Sequence, residues 1–130
     1  MKLGVIGSPI EHSKSPEIHS NFANQFDLDL VFDKYLVNKD ECSEWVKSFF
    51  ESGGLGLSVT LPLKEVVLEI ADDISLRAKQ AAAANMLFLK DGKIFADCTD
   101  GLGLVTDLKA KGIDITDQKI LILGAGGAAK

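Results

Sequence analysis

Residues 2–26 read KLGVIGSPIEHSKSPEIHSNFANQF, and the order of element types within this stretch decides the fold. KLGVIG is a short apolar run that ends at Gly, Ser and Pro, the pattern of a buried strand running into a loop. Ser15 then precedes Pro16. A serine at the cap and a proline at the first helical position predict a helix start. The helix should reach about Phe26, with Ile18, Phe22 and Phe26 on one face at four-residue spacing. Strand, polar loop and helix in 25 residues make a βα unit.

The pattern repeats outward. Residues 31–37 (VFDKYLV) read as a second strand. Asp40 could cap a helix through about Glu51 that turns Trp45 and Phe49 inward, and Ser52, Gly53 and Gly54 end it. LGLSV at 55–59 is a third strand. Pro62 should open a helix over PLKEVVLEIA, and a second helical stretch follows at about 75–84. Residues 85–90 and 93–98 read as a hairpin closed by Asp91-Gly92, a good two-residue turn. A helix over 100–111 should close at Gly112, and 119–123 (KILIL) reads as a last strand. Alternation of strands and helices predicts an α/β fold, an open, mostly parallel twisted sheet with helices on both faces. The boundaries expected are a ligand-binding domain at 1–100, a linking helix and loop at 101–117, and the start of a dinucleotide-binding domain at 118–130.

Composition narrows the function classes. The chain has 130 residues, 46% hydrophobic and 25% charged, with net charge −5. That is an ordinary globular composition. No basic, aromatic-rich stretch invites nucleic acid. Cys42 and Cys98 form no CxxC motif or disulfide framework, so a reducing, cytoplasmic setting is expected. The first residues are too short in apolar content for a signal core, and no run approaches the ~20 apolar residues of a membrane span.

Two features carry chemistry. The first is the glycine loop behind KILIL. Gly124, Gly126 and Ala129 give a G-x-G-x-x-A pattern, and Gly124, Ala125, Gly126, Gly127 and Ala128 are the candidate cofactor-binding residues. Directly after a buried strand such a loop lets backbone approach a pyrophosphate at a helix N-terminus. Only about five residues remain for that helix, roughly 7 Å. The chain alone is therefore expected to bind a dinucleotide poorly. The apolar strand at 119–123 would also offer an unpaired edge, a route to a homodimer.

The second feature is a set of polar residues at the predicted strand ends, where ligands sit in open parallel sheets. Ser13 and Ser15 follow the first strand. Ser58, Thr60 and Lys64 accompany the third, Asn85 opens the hairpin, and Asp100 follows it. Hydroxyls, an ammonium and a carboxylate at one edge suit a small polyhydroxylated or carboxylated ligand. Lys64, in the first turn of the helix predicted from Pro62, would feel an unfavourable dipole and be poised for proton transfer. Plainer roles compete. Ser15 and Asp100 could be helix caps, Ser13 and Thr60 loop hydroxyls, Asn85 a turn residue and Lys64 a surface lysine. His12 and His19 show no metal-ligand pattern, and His19 reads as a helix-surface residue. Cys98 reads as a small buried residue.

Taken together, GVIGSPIEHSKSPEIHS (4–20), SVTLPLKE (58–65), AANM (83–86), DCTDGLG (97–103) and LILGAGGAAK (121–130) resemble the shikimate dehydrogenase family, in its order and spacing. The resemblance implies reversible reduction of 3-dehydroshikimate to shikimate with NADPH, in the shikimate pathway of aromatic amino-acid biosynthesis. It makes Lys64 and Asp100 the catalytic pair. Ser13 and Ser15 would bind the substrate carboxylate, and Thr60 and Asn85 the carboxylate or ring hydroxyls. The chain itself would bind substrate only and be inactive alone. Three positions depart from the family, which usually has Asn at Ser58, Thr at Met86 and Asn at Cys98. They leave open a quinate- or aminoshikimate-type dehydrogenase, or a non-catalytic binder of cyclic hydroxy acids.

Overall fold

The computed structural model describes residues 1–124 and 126. Within them, ten α- and β-elements follow one another. They are β1 (Lys2–Gly7), α1 (Ser15–Gln25), β2 (Val31–Leu36), α2 (Cys42–Glu51), β3 (Gly56–Val59), β4 (Asp73–Ile74), α3 (Leu76–Ala81), β5 (Met86–Lys90), β6 (Lys93–Asp97) and α4 (Asp100–Ala110). Short 3₁₀ turns lie at Lys39–Glu41 and Val66–Leu68. The described strands form one sheet in the order β2-β1-β3-β5-β6-β4. β1 pairs parallel with β2 and β3, and β4 with β6. The β3–β5 and β5–β6 pairings are antiparallel. The fold is thus α/β with a mixed, mostly parallel sheet, as the alternating pattern predicts. The added element is β4, two residues long and too short to leave a period in the sequence.

After Lys2, β1 is apolar because both of its faces are covered. Ile6 turns to the main core, which holds Val37, Val46, Phe49, Leu57, Val59, Leu63, Val67 and Leu87. Val5 turns to a smaller cluster with Ile10 and Phe32. α1 lies over β1 and β2. The β5–β6 turn is built as predicted, with φ of 53° at Asp91 and 77° at Gly92, the left-handed pair that a two-residue hairpin needs.

Four expectations change. The apolar stripe of α1 faces outward: Ile18, Phe22 and Phe26 are 45%, 51% and 71% exposed. The helix meets the sheet through Ala23, which is buried, and through half-buried His19, whose ring stacks on Phe32 at 4.1 Å. No α-helix opens at Pro62, where the backbone makes turns and then the 3₁₀ turn Val66–Leu68. Asp40 caps nothing. Asn38 and Glu41 form the capping box ahead of α2 instead. Residues 119–123 form no strand, and Ile120, Leu121, Ile122 and Leu123 are 60–88% exposed. No described strand pairs with them, so their backbone groups gain no ladder and the apolar run has no surface to bury against. Among the described residues no helix is long and apolar enough to cross a membrane.

Candidate active site

The topology brings separate parts of the sequence to one edge. β1, β3 and β6 end there, and antiparallel β5 begins there, with Ser58 opposite Met86 and Met86 opposite Asp97. The loop after β1 touches the loop after β3. Ser8 N–H donates to the Leu61 carbonyl at 3.0 Å, and a Cβ on Gly7 would lie 2.5 Å from Thr60 Cγ2. Only glycine permits that approach.

A cleft of about 440 Å³ opens at this edge, lined by His12, Ser13, Ser15, Ser58, Thr60, Lys64, Asn85 and Asp100 beside Val5, Pro9, Ile10 and Val59. All seven residues predicted from the strand ends to bind substrate or do chemistry share this one cleft. Its centre is an ion pair. Lys64 Nζ donates to Asp100 Oδ2 at 2.5 Å, with 11% of the lysine side chain exposed against 41% of the aspartate. Asn85 holds the other carboxylate oxygen, its Nδ2 donating to Asp100 Oδ1 at 2.8 Å. Asn85 is itself fixed by Thr99, whose backbone N–H donates to Asn85 Oδ1 at 2.9 Å. Ser13 and Ser15 present their hydroxyls side by side, Oγ to Oγ 3.2 Å.

These contacts bear on the plainer roles, and Ser13 does serve as a loop hydroxyl, its Oγ accepting Ser15 N–H at 3.3 Å. Lys64 is buried and paired, not a surface lysine. The dipole argument for it falls, because no helix starts at Pro62. What positions the ammonium is Asp100, together with the Lys64 carbonyl, which accepts from Ala84 N–H at 2.7 Å. Asp100 opens α4, behind the N-cap Thr99, and its carboxylate is taken up by Lys64 and Asn85. Ser15 is the first residue of α1 and not its cap, which is Lys14. Asn85 is a bridging residue, not a turn residue. Cys98 is buried and free, as expected. Among the described residues no cluster of three or more His, Cys, Asp or Glu could hold a metal ion.

The pattern missed one cluster beneath the site. Asp97, at the end of β6, is 8% exposed. Its Oδ1 accepts from Ser75 Oγ at 2.7 Å, Arg77 Nε at 2.6 Å and Cys98 N–H at 2.8 Å. Arg77 Nη2 also grips its Oδ2. These bonds, led by Arg77's, hold the Asp97 carboxyl down at about 2 against the opposing effect of burial. The available signal was a Ser-x-Arg helix start at 75–77 and an acid closing an apolar strand, which only the fold brings together.

Of the glycine motif, Gly124 and Gly126 are described, and neither lines the cleft. Gly124 and Gly126 are exposed, and a Cβ on either would meet nothing within 4 Å. Ala125, Gly127, Ala128 and Ala129 lie outside the described residues. Residues 119–123, the part of the predicted strand and loop that is described ahead of Gly124, form no strand, and the predicted turn and helix start lie largely outside the described residues.

A polar cleft at the strand ends of a mostly parallel sheet, holding a buried lysine paired with an aspartate, places the chain among α/β domains with a small-molecule-sized polar cleft. The chain belongs to the shikimate dehydrogenase substrate binding domain family, whose profile matches residues 5–87. It is 49% identical to a shikimate dehydrogenase (NADP(+)) of Methylococcus capsulatus over 99% of this chain and 47% of that protein. To the same-named protein of Colwellia psychrerythraea it is 47% identical, over 97% of this chain and 46% of that one. The crystal structure of Thermus thermophilus shikimate 5-dehydrogenase in complex with shikimate superposes with a TM-score of 0.92 at 31% identity, covering 99% of this chain and 49% of that one. The chain spans about half the length of the curated relatives it matches.

Proposed function

We propose that this chain forms the substrate-binding half of an NADP-dependent shikimate dehydrogenase, which interconverts 3-dehydroshikimate and shikimate. The observation that carries the reading is the Lys64–Asp100 pair, 2.5 Å apart in the cleft that also holds the Ser13–Ser15 pair. Paired hydroxyls suit a carboxylate, which accepts two hydrogen bonds at once. Asn85 and Asp100 suit the ring hydroxyls, one able to donate or accept and the other accepting. Lys64 is the proton group. In the reducing direction its ammonium gives a proton to the substrate oxygen as the carbonyl becomes a hydroxyl, and in the oxidising direction the neutral amine takes it back. Asp100, braced by Asn85, keeps the lysine aimed at that oxygen.

The names of the relatives support NADP as the redox partner of the whole protein. The cleft residues support substrate binding and proton transfer as this chain's contribution. The domain plan of 1–100, 101–117 and 118–130 accords with this division, because every cleft residue lies at or before Asp100. The free, buried cysteines accord with a cytoplasmic enzyme.

The test is shikimate-dependent reduction of NADP⁺ by the protein that carries this chain. Lys64→Ala should lower kcat by about 10²–10⁴, the usual contribution of a positioned acid–base group. Turnover within a few-fold of the unaltered protein would remove Lys64 from the chemistry. Ser58 in the cleft favours a second reading, a dehydrogenase of a related cyclic hydroxy acid. A kcat/KM for quinate above that for shikimate would decide for it.

A further inference from the structure

We infer that Asp97, gripped by Arg77 and Ser75, is a positioning residue that holds the Lys64–Asp100 pair in register; this rests on the cleft being the substrate site proposed above. Asp97 does not itself line the cleft and makes no hydrogen bond to Lys64. It acts through two arms. Its carboxylate receives Cys98 N–H at 2.8 Å, which fixes the first bond of the segment running through Thr99 to Asp100. Its backbone carbonyl receives Asn85 N–H at 3.0 Å. Asn85 in turn holds Thr99 and Asp100 Oδ1. Both routes from Asp97 therefore converge on the Asp100 carboxylate.

The carboxylate needs an anchor of its own, and α3 supplies it. Ser75 Oγ donates to Asp97 and accepts Ala78 N–H at 3.1 Å, so one hydroxyl caps α3 and ties the helix to β6. Ser75 N–H donates to the Ala96 carbonyl at 3.0 Å. The Arg77 guanidinium binds both Asp97 oxygens in a fork that lysine cannot copy. An ordinary structural ion pair could lie anywhere in the molecule. This one sits three residues before the group that aims the proton donor, and small errors of aim cost rate steeply.

The test uses Asp97→Asn, which keeps the size and one acceptor oxygen but loses the charge, and Arg77→Lys, which keeps the charge but loses the fork. The first readout is the ammonium NMR signal of Lys64 in the 130-residue chain, visible when the group is held and shielded from exchange. The second is calorimetric titration with shikimate. Asp97→Asn should weaken or abolish the Lys64 signal and weaken shikimate binding about tenfold, at a temperature where circular dichroism shows the fold intact. Arg77→Lys should do the same to a smaller degree. Because the Arg77 side chain is 46% exposed, that variant tests the idea even if Asp97→Asn does not fold. A folded variant with a lower melting temperature but an unchanged Lys64 signal would make the clamp merely structural and overturn the inference. Should the unaltered chain bind no shikimate while Asp97→Asn still disturbs the Lys64 signal, the clamp stands and the substrate reading fails.

Discussion

Two short apolar segments of similar composition meet opposite fates. LGLSV at 55–59 becomes the centre of the sheet, with Leu57 2% and Val59 3% exposed. KILIL at 119–123 forms no strand, and Leu121 and Leu123 are 84% and 88% exposed. The difference lies in partners rather than in hydrophobicity. β3 has β1 on one side and β5 on the other, and Leu57 and Val59 pack into the main core. The second segment has no described strand beside it. A run of β-prone residues is permission to be a strand, and a neighbour is what makes it one.

The largest effect that would break this contrast lies in β3. Leu57→Ala removes a fully buried side chain from the main core and should cost about 2–5 kcal/mol, read as a lower urea midpoint. A cost under half a kilocalorie would mean that β3 is no better anchored than the exposed run. Next comes Gly7→Ala. The added methyl would stand 2.5 Å from Thr60 Cγ2 and 2.9 Å from the Leu61 carbonyl oxygen. Thr60 can swing, but the carbonyl is backbone. Overpacking of this kind costs about 1–3 kcal/mol and should also displace Thr60, so calorimetry should show weaker shikimate binding. Unaltered stability and binding would mean that the two loops do not brace each other.

The same contrast explains what the sequence made legible. Element types and their order came through where one residue pattern matched one local geometry, as in KLGVIG, the Asp91-Gly92 turn and the helix at Asp100. The site residues were legible because strand ends are predictable places, and the polar residues at 13, 15, 58, 60, 64, 85 and 100 stand out against apolar runs. What stayed hidden depended on contacts made at long range. Nothing local to SPEIHSNFANQF says that His19 and Ala23, and not Ile18, Phe22 and Phe26, meet the sheet. PLKEVVLEIA has helix-like composition, but the chain there must deliver the Lys64 carbonyl to Ala84 and the Lys64 ammonium to Asp100. Tertiary contacts overrode propensity. Asp97 and Arg77 are 20 residues apart, and neither belongs to a motif that points at the other.

Acid should separate the two regions by charge. The Asp97 carboxyl is held at about 2, below its ordinary 3.8, chiefly by hydrogen bonds from Arg77. A carboxyl lowered on folding stabilises the fold fully above its unfolded value and loses that contribution as pH falls toward the folded value. Stability from this clamp should therefore be complete above about pH 4 and drain away between there and pH 2. Asp114, near the exposed run, is also lowered, by hydrogen bonds from Thr116. It lies in open solvent and should add nothing measurable. Urea midpoints followed against pH should show unaltered protein and Asp97→Asn converging below pH 4. A difference that stays constant down to pH 2 would show that the charge of Asp97 does not stabilise the fold.

The smallest expected effect is the sharpest test of the comparison. Leu121→Ala removes as many carbons as Leu57→Ala, from a segment with the same aliphatic character. Because Leu121 is 84% exposed, it gains little by folding, and its loss should change stability by less than about 0.5 kcal/mol. The two substitutions are chemically identical, so any difference between their urea midpoints measures context alone. If Leu121→Ala also cost kilocalories in the 130-residue chain, residues 119–123 would have to be packed in solution. The contrast between a partnered and an unpartnered strand would then collapse. If it costs nothing while Leu57→Ala costs several, the stability of the cleft is independent of the side chains of residues 119–123. The substrate-binding edge could then be studied in this chain by itself.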